Sequence, residues 1–400
     1  MKRVLFVDDD EEIIAWLRCI LLPQQASWQA MFAQGGEPAL RMMEAHPVDV
    51  VVADMRMPVM DGARFLERVR ERFPAAVRIV LTGHSEMEYA LRAVTVAHQV
   101  LQKPCNPSIL LQAIDRACNL SNTLKDATVR RIVGAVGELP CLPRTAMELV
   151  RALDDPDVPV TRVGHIVEQD IAISAKVTQL VNSAFFGRSQ VITAISHAVT
   201  FLGVDVLKQL VISAEIFRAF QPRHHIEGYF LDGIQKHSHL VASIAAKLPL
   251  SKVDASTATI AALLHDVGKL VLASRLPQEC ERVRRLTIGG RMTFPAAEEQ
   301  VLGASHADIG AYLLVLWGLP MGIVAAVRRH HRPGIAEGDE AGLGAPGAVY
   351  FANLLALERE SHCGGHAAEL RAGALEYLGV VGTEGDLAAW RAMAQSVGVQ

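Results

Sequence analysis

Residues 2–12 read "KRVLFVDDDEE", an apolar run, Val4–Val7, that ends on three consecutive aspartates. The run has the length and the β-branched composition of a buried strand, and the acids mark its end. Outward from it, similar short runs recur at Trp28–Phe32, Val48–Ala53, Val77–Leu81 and, more weakly, Val100–Leu101. Between them Glu11–Leu21, Glu37–Ala45, Gly62–Phe73 and Glu86–Val96 carry apolar residues at helical spacing. The alternation predicts an α/β unit: five βα repeats, a five-stranded parallel sheet, doubly wound.

After Pro107 the strand signals stop, and from "SILLQAIDRACNL" (108–120) onward apolar residues recur at three and four, which predicts an all-α bundle. The expected organisation is residues 1–120 for the α/β domain, 121–135 for a linker or connecting helix, 136–335 for the helical domain and 336–400 for a helical C-terminal extension, with helices at Ala367–Leu378 and Gly385–Ala394. The polar "LSNTLKDATVRR" (120–131) marks the junction, and Arg332–Gly347 reads as an exposed loop.

A chain of 400 residues is long enough for two or three cores. With 39 basic against 43 acidic residues and no long basic run, direct nucleic-acid binding is not expected. The start lacks the apolar length of a signal peptide or membrane span, and the six scattered cysteines form no CxxC pair, so a cytoplasmic protein with reduced thiols is expected.

In a parallel sheet the carboxyl ends of the strands point into one crevice, which brings Asp8, Asp9 and Asp54 together. Three carboxylates repel one another unless a cation sits among them, and Mg²⁺ suits an oxygen-only ligand set. Thr82, in "VLTG", and Lys103, in "LQKP", end the fourth and fifth strands and add a hydroxyl and an ammonium for an anion. Together they predict a phosphoryl-acceptor site. The solvated alternative, in which each residue is an ordinary surface group, requires five coincidences.

"VLFVDDD", "VVADMRMPVMDG", "LTG" and "QKP", in this order, resemble the receiver domain of two-component response regulators. The resemblance implies Asp54 as phospho-acceptor, Asp8, Asp9 and Asp54 as Mg²⁺ ligands, Thr82 and Lys103 as phosphoryl contacts, and a cis bond between Lys103 and Pro104. It also implies a sensor histidine kinase or phosphotransfer protein as donor. Where that family often has aromatics, three residues before the lysine and one after the proline, this chain has Val100 and Cys105.

Residues from about 135 to 335 resemble the HDOD domain, a helical output module related to HD phosphohydrolases, the match being carried by Leu139, Pro140, Leu142, Pro143, Asp170, Asn182, Ser183, Gly187, Ala198, Leu202 and Gly203. Physically, Asp170 is placed to cap the helix beginning at Ile171 and Asn182 to satisfy backbone groups at its end.

Further on, "KHSHLVASIAA", "ALLHDVGKLVL", "SHADIGAYLL" and "RRHHRP" distribute histidines over several helices. On one helix, Lys269 lies four residues from His265 and three from Asp266 and shares their face. Ser305 and Asp308 form a capping box that puts His306 in a first turn, and Pro320 can start the helix that ends at His330 and His331. Nitrogen and carboxylate ligands from several helices suit a divalent transition metal such as Mn or Fe.

The order resembles the HD superfamily, which implies His237, His265, Asp266, His306, His330 and His331 as metal ligands and Lys269 as a catalytic group in phosphate-ester hydrolysis. The closing ligand, an aspartate in that pattern, is Asn353 here, and the "GYP" of cyclic-dinucleotide phosphodiesterases does not follow the paired histidines. His165, His197 and His239 are expected to be hydrogen-bonded core residues. "SHCGGH" (361–366) reads as a loop.

Two functions remain open. One is a response regulator phosphorylated on Asp54 whose helical domain docks on an unidentified downstream signalling protein, with a homodimer as one arrangement. The other is a receiver-controlled, metal-dependent phosphohydrolase acting on nucleotides or cyclic dinucleotides. A transcription factor is disfavoured by the balanced charge.

Overall fold

Val4, Leu5, Phe6 and Val7 are fully buried, and the strand they make, β1 (Lys2–Asp8), runs parallel to both of its neighbours. The computed structural model describes residues 2–21, 28–83, 96–120, 127–136, 143–153, 155, 158–182, 192, 194–213, 230–288, 292–332, 343–360, 373, 377 and 386–397. After β1 come α1 (Glu11–Leu21), β2 (Trp28–Gln34), α2 (Gly36–Ala45), β3 (Val50–Asp54), α3 (Gly62–Arg72), β4 (Val77–Gly83), β5 (Gln99–Lys103) and α4 (Pro107–Leu120). The sheet order is β2-β1-β3-β4-β5, all parallel, so the carboxyl ends of β1, β3, β4 and β5 share one edge. The helix expected at Glu86–Val96 lies, save for Val96, outside the described residues.

The described remainder is mostly helical, beginning with α5 (Ala127–Gly134), α6 (Pro143–Leu153), α7 (Val160–Glu168), α8 (Ile171–Val181) and α9 (Ile195–Ser213). Gly203, at φ 77°, breaks α9. Asp170 caps α8 by accepting from the backbone N–H of Ala172 at 2.8 Å and of Ile173 at 3.1 Å. Asn182 donates to Thr178 O and Ile192 O and accepts from Ile192 N, so it staples the helix end to the following segment. Ser183 and Gly187 lie outside the described residues.

Then follow α10 (Leu231–Ala245), α11 (Lys252–Leu264), α12 (Val267–Arg275), α13 (Pro277–Thr287), α14 (Phe294–Leu302), α15 (His306–Leu316), α16 (Met321–Arg329), α17 (Ala345–Glu360) and α18 (Asp386–Ser396). α17 is buried along most of its length and packs on α10, α11 and α16, so residues 345–360 belong to the core of the bundle rather than to an appendage. Of the two terminal helices expected, the second is α18, and the first falls, save for Gly373 and Tyr377, outside the described residues, as does "SHCGGH".

Two expectations are corrected. The single helix expected through "HDVGK" is two helices, because His265 and Asp266 form a turn between α11 and α12, with Asp266 at φ −95°, ψ 11°. His165 and His197 are exposed, since α7 and the start of α9 turn those positions outward; only His239 is half-buried, with a backbone hydrogen bond at Gln169.

Candidate functional sites

At the carboxyl edge of the sheet, β1 delivers Asp8 and β3 delivers Asp54, both buried, while Asp9 is exposed at the rim. Lys103 ends β5 and its ammonium lies 3.0 Å from Asp8 Oδ2 and in contact with Asp54 Oδ1. Asp54 Oδ2 accepts from Arg56 N at 2.7 Å, and Asp8 Oδ1 from Asp10 N at 3.0 Å. Thr82, also buried, follows Leu81, the register partner of Asp54. The Lys103–Pro104 bond is cis.

Burial raises the Asp54 carboxyl above its ordinary range, and the charge of Asp8 adds to this, against the lowering pull of Lys103. Burial alone would lower Lys103, but its hydrogen bonds and charge contacts with Asp54 and Asp8 raise it, so it stays cationic. Gly62 completes the wall: a Cβ there would overlap the Asp54 carbonyl oxygen, and the preceding Asp61 caps α3 by accepting from Arg64 N at 2.8 Å. The site thus presents buried carboxylate oxygens, a fixed cation and a hydroxyl, a donor set that fits Mg²⁺ and a phosphoryl group together.

The second cluster draws on α10 (His237), the turn between α11 and α12 (His265, Asp266), α12 (Lys269), α15 (His306), the end of α16 (His330, His331) and α17 (Asn353). Two groups have donor atoms within 4.8 Å of one another: His237, His265 and Asp266, and His306, His330 and His331. Asp266 connects them, with Oδ1 3.2 Å from His306 Nε2 and 3.8 Å from His330 Nε2, and Oδ2 3.6 Å from His265 Nε2 and 2.7 Å from Lys269 Nζ. Lys269 therefore reaches Asp266 despite the turn.

The outer nitrogens are tied down. His265 Nδ1 lies 2.6 Å from Ala262 O and His330 Nδ1 2.6 Å from Val327 O, so each Nδ1 carries the proton and each Nε2 offers a lone pair inward. Burial pushes the His265 imidazole down to about 4 and the His330 imidazole well below its ordinary value, which keeps both neutral. For Asp266, burial is outweighed by Lys269 and the neighbouring histidines, which hold the carboxyl well below the usual range.

Among the described residues, buried His265 Nε2 has no hydrogen-bond partner, an atom that a cation at this position would satisfy. The donor set therefore fits a divalent metal. Asn353, a neutral amide, closes it: its Oδ1 is 3.0 Å from His237 Nε2 and its Nδ2 donates to His330 O at 3.4 Å.

Two carboxylates absent from the sequence reading orient the histidines. Fully buried Glu298 of α14 accepts from His306 N at 2.7 Å and sits 2.6 Å from His306 Nδ1. Burial alone would lower His306, but the charge of Glu298 raises it. Glu360, at the end of α17, lies 2.9 Å from His237 Nδ1. Outside His331 a cavity of about 250 Å³ is lined by Glu299, Ser305, Asp308, Arg328, Arg329 and Arg332, among others.

Comparison with known proteins agrees with the two halves. The response regulator receiver domain matches residues 4–115 and the HDOD domain matches residues 139–333. An uncharacterized protein of Treponema pallidum is 28% identical over 210 residues, covering 50% of this chain and 39% of that protein. The hydrogenase transcriptional regulatory protein HoxA of Cupriavidus necator is 33% identical over 116 residues, covering 28% of this chain and 23% of that protein. The chain thus spans well under half the length of these two relatives. The crystal structure of the response regulator MmoQ from Methylococcus capsulatus superposes with a TM-score of 0.49 at 22% identity, over 64% of this chain and 98% of that one. With its edge of buried carboxylates and a lysine in one half and its histidine-bearing bundle in the other, the chain is a response regulator receiver domain fused to an HDOD domain.

Proposed function

We propose that this protein is a phosphorelay response regulator that takes a phosphoryl group on Asp54 and reports it through the HDOD domain by protein–protein contact. The observation that carries this reading is Lys103, held by Asp8 and Asp54 together at the end of β5. An Asp54 oxygen attacks the phosphorus of a phosphohistidine on a sensor kinase or phosphotransfer protein; the P–O bond forms as the P–N bond breaks. Lys103 and Thr82 then hold the phosphoryl oxygens. Asp8, Asp9 and Asp54 are the residues that would hold Mg²⁺, which supplies neutralisation of phosphoryl charge. The acyl phosphate adds about −1.5 to −2 of charge beside Lys103. The downstream partner is a signalling protein, the compartment is the cytoplasm, and a homodimer is one assembly that presents two such outputs.

The experiment is incubation of the full chain with a labelled small phosphodonor and Mg²⁺. The parent incorporates phosphate and Asp54→Asn does not; equal labelling of the two refutes the assignment.

A second reading is supported by the unsatisfied His265 Nε2 and the arginine-lined cavity beside His331. It is a receiver-controlled HD-type phosphohydrolase in which His237, His265, Asp266, His306, His330, His331 and Asn353 hold Mn or Fe, and Lys269 faces developing charge. Such a metal would supply activation of water. Hydrolysis of a nucleotide or cyclic dinucleotide by the parent, lost in Asp266→Ala, would establish it; no turnover with Mn²⁺ or Fe²⁺ present would remove it.

A further inference from the structure

At the amino edge of the sheet, away from both sites, the receiver is bolted to the helical half. Arg78 of β4 is 1% exposed. Among the described residues its guanidinium meets carbonyls and the His98 ring rather than a carboxylate: Nε donates to Val96 O at 2.6 Å, Nη1 to Ala76 O at 3.4 Å and Nη2 to Gly134 O at 2.8 Å, with Nη2 also 2.9 Å from His98 Nε2. Gly134 ends α5, so this carbonyl is one of the unsatisfied groups at the negative end of that helix. A Cβ on Gly134 would overlap Pro74 O, which shows how closely the helix end presses on the loop before β4.

His98 completes the clasp. Its Nδ1 accepts from Arg78 N at 3.0 Å, and its Nε2 lies 3.0 Å from Gly134 O and 2.9 Å from Arg78 Nη2. The helical bundle takes hold of the same residue: Gln179 of α8 donates to His98 O at 3.0 Å, and Lys176 of α8 donates to Gln179 Oε1 at 3.1 Å while lying 4.1 Å from the Trp317 ring centroid. One residue along, Gln99 donates to Leu316 O at 3.3 Å.

The placement of these residues on the strands suggests their use. Arg78 and Thr82 are four apart on β4, and Gln99 and Lys103 four apart on β5, so each pair shares one face of its strand. Two adjacent strands thus each carry a phosphoryl-contacting residue at the carboxyl end and a junction residue at the amino end. A buried guanidinium that loses its partners is heavily penalised, so the junction opens as a unit rather than bond by bond.

We infer that the Arg78–His98–Gly134 junction is the output lock: closed while Asp54 is free, and opened through β4 and β5 when Asp54 carries a phosphoryl group, releasing α5 and the HDOD domain from the receiver edge. This rests on Asp54 being the acceptor. It also supplies a route that needs no aromatic at Val100.

The test is hydrogen–deuterium exchange of the full chain with Mg²⁺, with and without beryllofluoride as the phosphoryl mimic. The lock predicts that amides at 131–136 and 176–181 exchange roughly tenfold faster with the mimic, the factor that loss of a buried hydrogen bond produces. Asp54→Asn should show no such change. If amides at 54–57 and 82–83 respond while the junction does not, the lock is wrong and the acceptor assignment stands. If neither responds, both fall. Because Arg78→Ala could simply unfold, Gln179→Ala serves as the second variant: faster exchange at 131–136 without the mimic supports the lock, and unchanged exchange overturns it.

Discussion

In the receiver pocket Lys103 lies between Asp8 and Asp54 and offsets part of their charge within the protein, whereas in the HDOD domain the buried His265 Nε2 has no hydrogen-bond partner among the described residues. The first centre is built from strand ends at a rim where Asp9 meets solvent; the second from five helical segments around donors that are almost wholly inside. A carboxylate pocket with its own cation holds together without a bound metal and, on the proposed function, awaits an incoming phosphoryl group. A cluster of inward lone pairs around one ionised carboxylate, by contrast, is arranged for a resident cation. On the proposed function the difference gives them different work: transient chemistry in the receiver, and metal retention, with or without turnover, in the HDOD domain.

The comparison breaks most readily at Asp266. Asp266→Ala strands Lys269 and His306 beside an uncompensated space and should destabilise the HDOD domain by about 3–5 kcal/mol, read by denaturant unfolding. The receiver transition should move by less than this, by the loss of the junction contacts at most; if it shifts equally, the centres are not independent. Next in size is Glu298→Gln, which weakens the hold on His306 and should lower metal affinity about 10–100-fold by elemental analysis after graded chelation, leaving phosphate uptake on Asp54 unchanged.

Gly62→Ala is the receiver counterpart. It forces a methyl into the Asp54 carbonyl and should cost about 1–3 kcal/mol in receiver stability together with slower phosphorylation, with metal content intact. The smallest effect is a gain. Asn353→Asp replaces a neutral contact to His237 with a charged one, worth ~1 kcal/mol of tighter metal retention; unchanged retention would mean that His237 lies outside the metal site.

The receiver site is legible because its chemistry sits at the ends of strands whose apolar runs are unmistakable, so the strand pattern alone puts Asp8, Asp54, Thr82 and Lys103 on one edge. The histidines were legible by order, but their environment was not. Glu298 reaches His306 across 8 residues and Glu360 reaches His237 across 123, and no local period encodes such contacts. Arg78 left a trace, a cation inside "VRIVLTG", which reads as a snorkelling surface residue until α5 is seen to end on it. The turn at His265 and Asp266 was hidden because "LLHDVGKL" fits a continuous helix at every position; the close approach of α12 to α15, where a Cβ on Gly268 would overlap His306 O, is a tertiary fact.

The most direct test of the account is chemical location of the phosphoryl group. The full chain is treated with a phosphodonor and Mg²⁺, the acyl phosphate is reduced with borohydride, and the peptides are mapped by mass. The account predicts the reduced side chain at position 54, in the parent and in Asp266→Ala alike. Reduction at another residue, or none in a chain that still folds, would contradict it.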